Sequence, residues 1–119
     1  MSDVNQVYVG NLKISEDVLA TIAEQATKEV KGVAKITGDG SYFSGIIKKT
    51  TRQNAVKVEL SEDSAVVDMA IKLEPGASIP EVSTAIQKNV KESIQNMTGI
   101  AVSKVNIIVQ GIEFEEENA

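Results

Sequence analysis

The sequence predicts an α+β domain in which two amphipathic helices cover one face of a small mixed β-sheet. Two stretches carry apolar residues at helical spacing, and several shorter stretches alternate apolar and polar residues. The two kinds of stretch are interleaved in the order β-α-β-β-β-α-β, whose first element is either a short strand or an extended lead-in. This order favours a two-layer sandwich.

The first part of the chain predicts a strand, a helix and a second strand. Apolar residues alternate within residues 7–14, and Ser15 then provides a suitable N-cap. Apolar side chains recur at helical spacing through residue 30, so a helix is predicted over residues 16–30. Gly32 follows as a stop signal, and Val33–Thr37 is the next strand candidate.

The following segment combines turn formers with a stretch of no clear periodicity. Gly38, Asp39 and Gly40 predict a turn, and a loop with a short helix is expected over residues 42–54. The glycines, with Lys48 downstream, invite comparison with phosphate-binding loops. Their spacing fits neither a Walker loop nor a dinucleotide fingerprint, so an ordinary turn is favoured.

Residues 56–73 predict a β-hairpin. Apolar and charged residues alternate over 56–60, polar residues 61–64 turn the chain, and alternation resumes over 67–73. The pattern gives the hairpin one apolar and one polar face, as expected for a sheet covered on one side. Glu59, Asp63 and Asp68 all belong to this hairpin and are interpreted as solvated carboxylates rather than as acid–base or metal-binding groups.

The last part of the chain predicts the second helix and a final strand. Ser78 and Pro80 mark a helix start, and Gly99 marks its end. Between them an apolar stripe recurs at helical spacing, formed by Val82, Ala85, Ile86, Val90, Ile94 and Met97. Alternation over residues 104–110 predicts a strand, and a right-handed connection is expected if that strand is parallel to the one before the helix.

Length and charge predict one domain over residues 1–114 and an acidic tail, 115–119, that is expected to be disordered. Glu113 and the three glutamates of the tail supply most of the net charge of −5. The remainder is close to balanced, which argues against a general nucleic-acid binder. The polar start of the chain predicts no secretory signal, and no apolar run approaches the roughly 20 residues that span a bilayer. The expected location is the cytoplasm.

The absence of cysteine and histidine limits the chemistry that the chain can perform. Disulfides, thiolate metal sites and every catalytic triad built on these residues are excluded. Carboxylates, lysines, tyrosines and hydroxyls remain, in no recognisable catalytic arrangement. We therefore predict no enzyme activity, no catalytic residue and no cofactor or metal.

One basic cluster is the candidate interaction patch. It consists of Lys48, Lys49, Arg52 and Lys57, with Tyr42 and Phe43 nearby. Such a cluster is more often a solvated face than a binding site. The alternative is a patch that contacts RNA, an anionic lipid surface or an acidic protein partner.

Two blocks of the sequence resemble the alkaline-shock family of Gram-positive bacteria. The opening block runs from Gly10–Ser15 through Val18, Ile22, Ala23 and Ala26 to Val30–Val33. The closing block is the more specific, and comprises Ile79–Val82, Ile86, Gln87, Val90, Lys91, Met97–Gly99, Val102, Val105–Ile107 and Val109–Gly111. The resemblance covers roughly residues 8–114 and involves core and turn positions, not an active site.

The resemblance implies a non-enzymatic scaffold for cell-envelope homeostasis under envelope or alkaline stress. It implies self-association and recruitment to the membrane by a membrane-anchored protein partner, so that membrane contact is indirect. Two alternatives stay open: a KH-like nucleic-acid-binding module and a regulator of fatty-acid metabolism. The KH alternative requires a Gly-x-x-Gly loop between helices, which the sequence lacks, so no nucleic-acid partner is expected.

Overall fold

The computed structural model describes residues 6–9, 12–38 and 56–114. These residues form two helices and six strands, in the predicted interleaved order except that two strands stand where the first one was predicted. In chain order the elements are β1 (Gln6–Val9), β2 (Leu12–Ser15), α1 (Glu16–Lys28), β3 (Val33–Gly38), β4 (Lys57–Leu60), β5 (Ser64–Leu73), α2 (Ile79–Thr98) and β6 (Ala101–Ile112). The short helix predicted within 42–54 and the acidic tail lie outside the described residues.

β5 is the central strand of a mixed sheet. β4 pairs antiparallel with its first half and β3 with its second half, so the two short strands share one edge of β5. β6 pairs with β5 in parallel over almost its whole length, with Ile107 opposite Met69. The connection from β5 to β6 runs through α2, as a parallel pair requires. The predicted α+β class and mixed sheet are therefore confirmed.

The first predicted strand is a separate hairpin. β1 and β2 pair antiparallel, with Val9 opposite Leu12, and neither pairs with the larger sheet. Gly10 and Asn11, between them in sequence, are residue types that favour a two-residue hairpin connection. Alternation alone does not distinguish one strand of this length from two, because the same period continues through both.

Both helices begin at the predicted caps. The Ser15 hydroxyl oxygen accepts from the N–H of Val18 at 3.3 Å, and Ser78 caps α2 in the same way. α2 ends at Gly99, whose φ of 81° suits a glycine. α1 ends at Lys28, two residues before the predicted end, because Val30 packs against the core from a turn rather than from the helix.

The core lies between the helices and one face of the sheet. Alternate residues of β5, from Ala65 to Leu73, are fully buried on this face. The helices contribute Leu19, Ala23 and Ala26 from α1 and Val82, Ile86, Val90 and Ile94 from α2. The Thr27 hydroxyl is buried with them, where it donates to the Ala23 carbonyl at 2.8 Å and lies 3.5 Å from the Met69 sulfur. Because one cluster of buried residues joins both helices to the sheet, the helices form one layer and the sheet forms the other.

Candidate interaction surfaces

Only one residue of the predicted basic patch lies in the described part of the chain. Lys57 is exposed on β4, and its Nζ lies 3.4 Å from Glu59 Oε2. Lys48, Lys49 and Arg52 lie outside the described residues, so the patch stays a prediction. The one member of the patch that is described is already paired with a neighbouring carboxylate.

The sheet face opposite the helices carries charged and polar side chains together with three apolar ones. We call it the open face, and it carries Glu59, Val66, Asp68, Ala70, Lys72, Asn106 and Ile108. Asp68 Oδ1 accepts from Asn106 Nδ2 at 2.8 Å, so this carboxylate serves a cross-strand hydrogen bond. Among residues 6–9, 12–38 and 56–114, no three acidic side chains gather as a metal site would require.

Three cross-strand contacts link the three strands at the far end of the open face. The Glu113 carboxylate lies 3.5 Å from the Nζ atoms of both Lys35 and Lys72. Thr37 Oγ1 donates to Gln110 Oε1 at 2.6 Å, joining β3 to β6 across the central strand. These contacts hold polar side chains against one another, so this end of the open face is a polar network rather than an apolar docking surface.

A cleft of about 840 Å³ lies beside the start of α2. Three segments surround it: residues 29–32 after α1, the loop 74–78 after β5, and the first turns of α2. The residues that define this cleft are Glu29, Val30, Lys31, Gly32, Glu74, Pro75, Gly76, Ala77, Ser78, Glu81, Val82, Ala85, Lys88 and Asn89. It therefore lies where both predicted turns meet the second helix.

Gly32 sets how closely the cleft walls approach each other. Its φ is 102°, and a Cβ atom at this position would lie 2.7 Å from Val82 Cγ2. Its carbonyl accepts from the N–H of Glu74 at 2.8 Å, which joins the two turns. Only glycine satisfies the backbone angle and the contact together, since any side chain would push α2 outward.

The cleft combines an apolar floor with charged side chains of both signs. Val82 lies in its floor and Ala85 is exposed beside it. Glu81 and Lys88 stand along its rim, and Ile79, 48% exposed, lies next to it at the start of α2. Such a surface suits an extended protein segment, which offers apolar side chains and backbone polar groups together.

Sequence reasoning missed this cleft, although its parts gave signals. Gly32 and the Glu74-Pro75-Gly76 sequence both predict turns, and the start of α2 was placed correctly. What the sequence does not give is the distance between the two turns. That distance depends on the antiparallel pairing of β3 with β5, which places Val33 opposite Leu73.

One carboxylate near the start of α1 has a perturbed pKa. Glu16 Oε2 accepts from the N–H of Leu60 at 3.1 Å, which links the helix to the end of β4. Burial raises the pKa of Glu16 above its ordinary value, and the hydrogen bond from Leu60 opposes the rise. Repulsion from Glu59 and Asp17 adds to the rise. The carboxylate therefore has a structural contact, joining the start of α1 to the end of β4.

These features define a small α+β domain with a cleft beside its second helix and an open face of mixed polar and apolar residues. Neither described helix combines the length and apolar character that a membrane-spanning helix requires. The model of the alkaline shock protein 23 family, which has a cell envelope-related function, matches residues 4–114. The chain belongs to this family, and the resemblance to alkaline-shock proteins is confirmed.

Relatives occur in Gram-positive bacteria. Uncharacterized protein YqhY of Bacillus subtilis (strain 168) is 31% identical over 95% of this chain and 84% of its own length. Uncharacterized protein Spy1535 of Streptococcus pyogenes serotype M6 is 34% identical over 92% of this chain and 84% of its own length. The match therefore covers nearly the whole chain in each case.

Solved structures share the fold at low sequence identity. The structure titled MamM CTD H264E has a TM-score of 0.50 and is 11% identical, covering 82% of this chain and 95% of its own. MamM CTD E289H, in its nickel form, has the same TM-score and identity and is covered over 99% of its length. At this identity the likeness concerns the arrangement of helices and strands alone.

Proposed function

We propose that this chain is a non-enzymatic binding module in cell-envelope homeostasis, including the response to envelope or alkaline stress. It acts in the cytoplasm, associates with copies of itself, and reaches the membrane by docking onto a membrane-anchored protein. Residues 1–114 form its single working domain. The family's cell envelope-related function supports the setting of this proposal.

The cleft beside α2 is the observation that carries the docking step. Its volume is about 840 Å³, and its walls come from segments fixed by a backbone hydrogen bond and by the α2 N-cap. Fixed walls favour binding because little order has to be imposed when a partner enters. Its apolar floor and mixed rim suit a protein segment better than an anionic lipid headgroup, which would require an excess of cations.

The test uses an arginine placed inside or outside the cleft. Ala85 is exposed and lines the cleft, whereas Gln95 is exposed on α2 beyond it. Ala85→Arg fills the cleft and Gln95→Arg adds the same group elsewhere on the same helix. Each purified protein is incubated with membranes isolated from a Gram-positive host, with the same membranes after protease treatment, and with protein-free vesicles of anionic phospholipid.

The proposal predicts sedimentation of the unaltered chain and of Gln95→Arg with intact membranes only. Ala85→Arg should stay in the supernatant, because its side chain occupies the docking cleft. Equal sedimentation of both variants would overturn the role of the cleft. Salt-sensitive binding to protein-free vesicles would overturn indirect recruitment and transfer membrane contact to Lys48, Lys49 and Arg52.

A further inference from the structure

β6 is a long edge strand with one open side. It spans twelve residues, Ala101–Ile112, and pairs in parallel with β5. Within the described ranges no strand pairs with its other side. Natural edge strands are usually short or interrupted by charges, proline or bulges, because unpaired backbone groups attract other strands.

The middle of β6 lacks these protective features. No charged residue and no proline occurs between Lys104 and Glu113. The register with β5 is continuous from Lys104 to Val109, and the bulges fall on either side of this stretch. Six regular residues span about 20 Å, enough for a strand-to-strand contact. Ile107, Ile108 and Val109 are each half-buried, so both faces of the strand offer apolar surface beside the open edge.

One backbone carbonyl of β6 accepts a hydrogen bond from a side chain of α2. Gln87 of α2 donates its Nε2 hydrogen to the Val105 carbonyl at 3.2 Å. Gln87 is itself exposed, so it can swing away when a better donor approaches. A backbone N–H from an incoming strand would replace this contact directly.

Charge along β6 favours a second copy in antiparallel orientation. Lys104 is exposed near the start of the strand. Antiparallel alignment keeps the Lys104 side chains of the two copies at opposite ends of the contact, whereas parallel alignment brings these like charges side by side. Glu113, which follows the end of β6, is already paired with Lys35 and Lys72 of its own copy. A two-fold axis across the edge produces the antiparallel pairing.

Exposed apolar side chains at the two ends of β6 agree with the same arrangement. Met97, just before the strand, is 70% exposed, and Phe114, just after it, is 67% exposed. The antiparallel partner brings the Phe114 end of one copy to the Met97 end of the other. Both side chains can then lose exposed apolar surface on association.

We propose that β6 pairs antiparallel with β6 of a second copy, so that the two sheets become continuous across a dimer. This inference rests on the self-association included in the proposed function, and it names the surface through which two copies would associate. That surface is the β6 edge from Lys104 to Ile112, with the two-fold axis beside Ile108, and it is separate from the cleft. The experiment therefore uses variants that leave the cleft unchanged.

The first test places a lysine on the edge strand or on the central strand. Ile108 and Val66 are both half-buried apolar residues of the open face, on β6 and β5 respectively. Near a two-fold axis, Ile108→Lys brings two like charges together, so the dimer dissociation constant should rise about tenfold or more. Val66→Lys adds the same charge without touching the edge and should leave the constant nearly unchanged. Light scattering over a concentration range measures the dimer dissociation constant of each variant, and circular dichroism checks that each variant folds.

The second test uses the absence of cysteine in the chain. Under mild oxidation Ile108→Cys should form a disulfide-linked dimer, and Val66→Cys should not. Self-association with no crosslink at position 108 and no effect of Ile108→Lys would overturn β6 pairing alone. A strict monomer at every concentration would overturn self-association as well, while docking at the cleft would still be decided by the membrane experiment.

Discussion

At the scale of single residues, Glu16 is a site where two effects oppose each other. Its position in the first turn of α1 favours a negative charge, because the N–H groups at a helix start are unpaired. Its partial burial disfavours that charge and raises the pKa of the carboxyl group. The contact with Leu60 nevertheless needs only an oxygen acceptor, which a neutral side chain also provides.

We therefore predict a pH-dependent difference between the protein and Glu16→Gln. A pKa that is higher in the folded than in the unfolded state adds stability at low pH, and this contribution disappears as the pH rises through the folded-state pKa. Relative to Glu16→Gln, the free energy of unfolding of the unaltered protein should fall as the pH rises from about 4.3, the ordinary carboxyl value, through the raised pKa. Urea unfolding of both proteins across this range measures the difference. If the unaltered protein instead gained stability relative to Glu16→Gln as the pH rises, the raised pKa of Glu16 would be contradicted.

At the scale of elements, one side chain joins the two helices near the end of α1. Asn89 Nδ2 donates to the Ala26 carbonyl at 2.8 Å. Ala26 lies in the last turn of α1, where a carbonyl group finds no N–H donor within the helix. The hydrogen bond therefore gives the Ala26 carbonyl a donor, and it also fixes the distance between the two helices.

Asn89→Ala should lower the free energy of unfolding by about 1–2 kcal/mol, since it removes the donor and leaves a half-buried acceptor unsatisfied. Asn96→Ala is the matched control, because Asn96 is exposed on the same helix and the exchange of side chains is identical. The control should change stability by at most about 0.5 kcal/mol. Denaturant unfolding of both variants tests the prediction, and equal effects would show that the helix pair does not depend on Asn89.

At the scale of the whole molecule, the sequence predicted those elements whose type is set by one clear periodicity or whose ends are set by one residue type. Ser78 and Gly99 bound α2, and alternation identified both strands of the β4–β5 hairpin. It did not resolve β1 from β2, where the alternation continues through both strands. It placed the end of α1 too late, because Val30 packs into the core without belonging to the helix.

The candidate surfaces were less accessible to sequence reasoning than the fold. The cleft depends on Gly32 meeting Val82, residues that are far apart in sequence and brought together by the pairing of β3 with β5. The uncharged run in β6 is visible in the sequence, but only the sheet order shows that it lies at an edge. Of the predicted basic patch, Lys57 alone can be placed, and it is paired with Glu59.

The topology also predicts an uneven distribution of stability across the molecule. β5 is paired on both sides and its alternate residues are fully buried, so its amide hydrogens should exchange only through global unfolding. β1 and β2 pair only with each other among the described residues, and an isolated two-stranded hairpin is marginal in stability. Amide hydrogens of β1 and β2 should therefore exchange with a lower opening free energy than those of β5.

Hydrogen exchange followed by NMR at two protein concentrations tests this distribution. The opening free energy for β5 amides should equal the free energy of unfolding from urea, and that for the β1–β2 hairpin should be smaller. If β6 pairs with a second copy, the amides of Lys104–Val109 that face the open edge should become more protected at the higher concentration. Equal protection of the hairpin and β5 would instead indicate that the hairpin unfolds together with the sheet, as one cooperative unit.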